Sequence, residues 1–143
     1  MFDNAMESLP NEPLNIPKAI FKERQRRFLS QLTPSDLVII ATPPEAVRSN
    51  DVTYPYRTSS DMLYLAGWTD PESVLVFYHD ESQWISHIFV QPKDTLKEIW
   101  EGRRPGTEGA LSDWSVDKAN SIHDLEHHLD GYLSKSSTVH VRT

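Results

Sequence analysis

The sequence predicts an α/β domain, a mixed β-sheet flanked by helices. Three observations predict it. Short apolar runs at Leu37 to Ala41, Val74 to Tyr78 and Ile85 to Val90 are strand-length and are bounded by turn residues. Apolar residues recur at helical spacing near both ends of the chain. The 143 residues, 38% of them hydrophobic, are enough for one core and too few for two ordinary domains.

Residues 1–16 are polar, contain Pro10 and Pro13, and read as a leader pinned by Leu14 and Ile16. The domain is expected over 17–143. Pro17 suits the first turn of a helix. Phe21, Phe28 and Leu32 share one side of it, and Lys22, Arg24, Arg26 and Arg27 take the remainder, up to an end near Pro34. The run Leu37 to Ala41 is unbroken, as in a strand covered on both faces, and Pro43-Pro44 stops it. Residues 45–60 are polar and aromatic without a period, which predicts a long ordered loop. Met62 to Ala66 is expected as a short strand, with turns at Gly67 and Asp70-Pro71. Asp80-Glu81-Ser82 joins the next two strands as an antiparallel hairpin.

Thr95 to Glu98 matches a capping box and predicts a short helix ending by Gly102. Ser121 to Asp124 is a second such box. Behind it Ile122, Leu125, Leu129, Tyr132 and Leu133 trace a helical stripe, which Gly131 weakens. Val139 to Val141 reads as a final strand. A chain that stops directly after its last strand is expected to be the front part of something longer.

Composition narrows the partners. Lys+Arg is 14 and Asp+Glu is 21, a formal charge of −7, so phosphate backbones repel the chain and nucleic acid is not an expected partner. There is no cysteine, which excludes a disulfide framework and thiolate chemistry. No apolar stretch is long enough to cross a bilayer, and no basic segment followed by an apolar one opens the chain. Cytoplasm is the expected location, with no membrane partner.

No complete catalytic site is visible. His123 and His127 stand four apart on one helix, with His128 beside them, but His-Glu-x-x-His is absent, and solvated surface histidines account for them better. Ser59, Ser60 and Asp61 lack a Gly-x-Ser-x-Gly elbow, and a cap or turn explains them better than a triad. Gly102-Arg103-Arg104-Pro105-Gly106 is basic but lacks the Lys-Ser/Thr of a phosphate loop; salt bridging of Arg103 and Arg104 is the plainer reading. Tyr54 and Tyr56 flank Pro55 and give rigid, amphipathic contact area that suits packing on the sheet.

Taken in order, several separated motifs resemble one family. They are Arg48-Ser49-Asn50-Asp51, Tyr54-Pro55-Tyr56-Arg57, Ser60-Asp61, Tyr64-Leu65-Ala66-Gly67, Asp70-Pro71-Glu72 and Glu98-Ile99-Trp100-Glu101-Gly102-Arg103-Arg104. The chain resembles the N-terminal domain of Xaa-Pro aminopeptidase, from the first helix through Arg104, with a weaker tail beyond. Met62 stands where the family often has an aromatic, and Met fills similar space.

The resemblance implies a creatinase-type N-terminal domain. It also implies a separate C-terminal pita-bread domain that does the chemistry. There two aspartates, a histidine and two glutamates hold two metal ions, usually manganese, which activate the attack on the bond before proline. None of those ligands is assigned to this chain, so the fragment is expected to bind no cofactor and to be inactive by itself. Its implied partners are its own catalytic domain, further copies in a homo-oligomer, and peptides with proline second. An X-Pro bond has a rigid ring and no N–H, so it is recognised by shape and apolar contact. By resemblance Trp100 reaches a neighbouring subunit's active site, Asp51 senses the substrate ammonium or holds a subunit edge, and Arg103 and Arg104 belong to the same contact. The plain alternatives are a core role for Trp100 and a loop cap for Asp51. Arg48, Tyr54, Tyr56, Arg57, Asp61, Tyr64 and Gly67 are expected to build the motif structurally. Two other parents fit the same domain: a pita-bread protein that only binds peptides or histones, and a proline dipeptidase.

Overall fold

The computed structural model describes residues 16–42, 60–94, 99 and 104–142. The leader, the Thr95 to Glu98 box and most of the aromatic loop lie outside them.

Helix α1, Lys18–Leu29, follows Pro17 and turns Phe21, Gln25 and Leu29 inward. That stripe holds positions four apart, so it lies along one face. Phe28 and Leu32 are only partly buried against it. Strand β1, Asp36–Ala41, is covered on both faces, with Leu37, Val38 and Ile40 fully buried. Burying each such side chain contributes about 1.5–3 kcal/mol.

Helix α2, Ser60–Ala66, replaces the expected strand. The buried residues are Met62, Leu65 and Ala66, spaced three and one, while Leu63 and Tyr64 are exposed. A strand would have buried alternate residues instead. Gly67 ends the helix: its N–H donates to the Leu63 carbonyl at 3.0 Å, and its φ is +70°, the left-handed cap that glycine adopts freely.

Strands β2, Val74–His79, and β3, Trp84–Val90, form the expected antiparallel hairpin, with Val76 paired to His87. Asp80 builds the turn by accepting from the Ser82 and Gln83 amides, both at 2.7 Å, and these bonds hold its carboxyl below the usual carboxylate range. Helix α3, Gly106–Asp113, and strand β4, Lys118–Ser121, occupy a stretch in which the sequence suggested no element. Ser121 then caps a 3₁₀ turn, Ile122–Asp124, by accepting from the His123 amide at 3.2 Å. Helix α4, Leu125–Ser134, and strand β5, Thr138–Arg142, follow.

The sheet order is β4-β3-β2-β1-β5. The hairpin and the β1–β2 pair are antiparallel, whereas β5 joins β1 and β4 joins β3 in parallel, so the sheet is mixed. One face carries the main core, where α1, α2 and α3 cover Val38, Ile40, Leu75, Phe77, Ile88 and Val90. Trp68 and Trp114 meet edge to face at 4.7 Å within it, and the Trp68 indole donates to Ser73 Oγ at 2.8 Å. The other face is covered by α4 and the 3₁₀ turn before it, through Ile122, Leu125, Leu129 and Tyr132 on Leu37, Val76 and Phe89. Leu133, expected on that stripe, is 41% exposed because its position turns it away from the sheet.

Candidate functional site

Gly67 is the tightest of the motif positions. A Cβ there would stand 2.7 Å from the Phe21 ring, so the glycine lets α1 close against the end of α2. One turn earlier, Tyr64 is 52% exposed and lies 4.4 Å beneath the Arg24 guanidinium, which also donates to the Tyr64 carbonyl at 3.0 Å. Asp61 accepts from Arg142 Nε at 2.9 Å and ties α2 to β5. Both side chains of that pair are solvent-exposed, so it contributes well under about 1 kcal/mol. Arg104 is 8% exposed; its Nη1 donates to the Pro92 carbonyl, and its own carbonyl accepts from Lys93 Nζ at 2.9 Å. Arg48, Asp51, Tyr54, Tyr56, Arg57, Trp100 and Arg103 lie outside the described residues.

Two polar features escaped the sequence reading. The first is a cavity of about 420 Å³ between α1 and the hairpin, floored by Leu29, Phe77 and Trp84. Gln25 closes its inner end, bonded to the Leu65 and Ser115 carbonyls at 2.9 Å each. Lys22 and Asp117 pair across its rim at 3.1 Å. Burial opposes the Asp117 charge, but the Ser86 amide and Lys22 outweigh it and hold the carboxyl below its usual range. The spacing of Gln25 from Phe21 and Leu29 was the available signal for its burial.

The second is a hydrogen-bonded chain beneath α4. His87, on β3, is 1% exposed, with Nδ1 2.7 Å from the Tyr132 hydroxyl and Nε2 2.7 Å from Asn120 Oδ1. A neutral ring that donates from Nε2 and accepts at Nδ1 satisfies both. Burial lowers its pKa to about 4. Lys118 donates to the Tyr78 hydroxyl at 2.8 Å, and the Tyr78 ring stacks on Tyr132 at 4.2 Å. Burial, then Tyr78, raises the Tyr132 pKa above the phenol range. His128, expected as a solvated surface group, is half-buried on His87 and Phe89. His123 and His127 are exposed, as expected of surface histidines.

Ser60 opens α2, and Asp61 is paired with Arg142 rather than with a base. Among the described residues no three His, Cys, Asp or Glu side chains gather to hold a metal ion, so those residues do not fit a manganese pair.

The family model for the N-terminal domain of aminopeptidase P matches residues 21–141. The chain belongs to the aminopeptidase P N-terminal domain family. Xaa-Pro aminopeptidase of Haemophilus influenzae is 37% identical over 110 residues, which are 77% of this chain and 26% of that protein. Xaa-Pro aminopeptidase of Escherichia coli is 33% identical over 87% of this chain and 29% of its own length. Intermediate cleaving peptidase 55 of Saccharomyces cerevisiae is 32% identical over 84% and 24%. The solved structure of E. coli aminopeptidase P with the inhibitor Pro-Leu superposes with a TM-score of 0.82 at 33% identity, over 88% of this chain and 29% of that one. Aminopeptidase P thus shares the fold, as the motifs implied. The chain spans about a quarter of the length of the curated relatives it matches. Within an aminopeptidase P N-terminal domain, Gly67 and Arg104 are packing positions, whereas Tyr64 leaves half its surface to solvent.

Proposed function

We propose that this chain is the N-terminal domain of a manganese-dependent Xaa-Pro aminopeptidase, which removes the residue preceding a proline at the second position. The observation that carries this is the aminopeptidase P fold at 33% identity, over only 29% of the solved enzyme's length. The two manganese ions would belong to the remaining, C-terminal part of the parent. This domain would frame the cleft and hold subunits together. Trp100 would lay its indole on the pyrrolidine ring of a neighbouring subunit's substrate, because that ring offers apolar surface and no N–H. Asp51 would meet the substrate ammonium or a subunit edge, and Arg103 would brace that contact, with Arg104 acting only from the interior through its bond to the Pro92 carbonyl. The setting is the cytoplasm.

The chain alone should leave a tripeptide with proline second uncleaved in the presence of Mn²⁺, while the parent cleaves it. Release of the first residue by the purified 143-residue chain would overturn this division of labour. In the parent, Trp100→Ala should lower kcat/KM for such peptides by roughly 10-fold, on the order of a lost aromatic contact. The E. coli and H. influenzae names favour this substrate class over a dipeptide-only parent. Comparing tripeptides with dipeptides on the parent tests that preference.

A further inference from the structure

Charge is unevenly placed on this chain. Helix α1 carries Lys18, Lys22, Arg24, Arg26 and Arg27 against Glu23 alone, although the chain as a whole stands at −7. Lys18, Lys22, Arg26 and Arg27 are exposed. Among the described residues, the carboxylates that pair with these cations are Glu23, shared by Arg26 and Arg27, and Asp117, which takes Lys22. The cavity of about 420 Å³ lies against the same helix. Lys22 and Arg26 line it from α1, and Leu29, Phe77 and Trp84 give it an apolar floor. Such a surface suits a short segment that brings carboxylates to the helix and an apolar side chain to the cavity. A long polyanion or an anionic membrane would instead meet the acidic remainder of the chain.

We propose that the occupant is this chain's own acidic leader, residues 1–15, folded back along α1 onto the cavity. Its chemistry is the complement of that surface. It holds Asp3, Glu7 and Glu12 and no lysine or arginine. Met6 and Leu9 flank Glu7 and Ser8, so apolar anchors and a carboxylate come within one short stretch. Reach is ample: fifteen extended residues span up to about 50 Å, whereas Arg26 stands only about 12 Å along the helix from Lys18. The leader runs directly into α1, and such a tether holds it at an effective concentration on the order of millimolar. Contacts too weak to retain a free peptide then suffice. The seat lies on the α1 side of the sheet, opposite α4. It lies within one chain, so its failure would leave the peptidase assignment untouched.

Paramagnetic broadening in the 143-residue chain tests it. The sequence has no cysteine, so Ser8→Cys gives a single attachment point for a spin label. At low salt the label should broaden the Trp84 indole and Gln83 amide signals strongly, and those of Leu129 and Tyr132 on the far face little. Replacing Asp3, Glu7 and Glu12 together by Asn, Gln and Gln should abolish that preference, because charge attraction is removed while every residue of the folded domain is kept. Broadening that falls equally on both faces would overturn the proposal. So would a preference that survives neutralisation of the leader, or one that appears only when labelled chains are mixed with separate isotope-labelled chains.

Discussion

Gly67 and Gly131 predict opposite outcomes for one substitution. At Gly67, alanine meets both a left-handed backbone and the Phe21 ring, so Gly67→Ala should destabilise the domain by about 2 kcal/mol. Gly131 lies inside α4 with open space where an alanine methyl would sit, so Gly131→Ala should stabilise it by about 0.5–1 kcal/mol. Urea denaturation of the two variants against the wild type checks both signs. The sequence marked both glycines as breaks in pattern but could not separate them. The difference lies in what packs against each, and Phe21 is 46 residues away from Gly67 along the chain.

At the scale of elements, α4 rests on the sheet through an apolar stripe plus one polar chain. Tyr132→Phe keeps the ring stacked on Tyr78 but leaves His87 Nδ1 without its donor. That change should cost about 1–3 kcal/mol, the usual loss for a buried group left unsatisfied. It should also speed amide exchange in α4 more than in α1, and equal rates in the two helices would contradict that role for Tyr132. The stripe Ile122, Leu125, Leu129 and Tyr132 was legible because its spacing is helical. The polar chain was not, because it joins β2, β3, β4 and α4. The helical state of α2 was hidden for a similar reason. Met62 to Ala66 is five apolar or aromatic residues, and only the burial of positions 62, 65 and 66 distinguishes helix from strand over so short a run.

For the molecule as a whole, His87 sets a pH dependence of stability. Its folded pKa, about 4, lies below the ordinary 6.5. Well above pH 6.5 both states are neutral there, and the His87 contribution is complete. As pH falls from 6.5 toward 4, the unfolded chain takes up a proton that the folded chain refuses, and stability drops by roughly 3 kcal/mol at most. Asp80 and Asp117, both held low, lose their contributions only at still more acid pH, as their folded forms protonate. Thermal melts from about pH 7 to 4.5 should therefore show a falling melting temperature, and His87→Gln should flatten that slope. An unchanged slope in the variant would remove His87 as its source. The sequence by itself determined the mixed α/β class, the hairpin, the first and last strands and the family, because these rest on local period, turn chemistry and ordered motifs. Tertiary structure alone decided that α2 is a helix, that α3 and β4 fill the stretch after Arg104, and that Gln25 and His87 are interior. Those outcomes depend on which distant surfaces meet, and burial of a polar side chain is settled by the partners that satisfy it rather than by its neighbours along the chain.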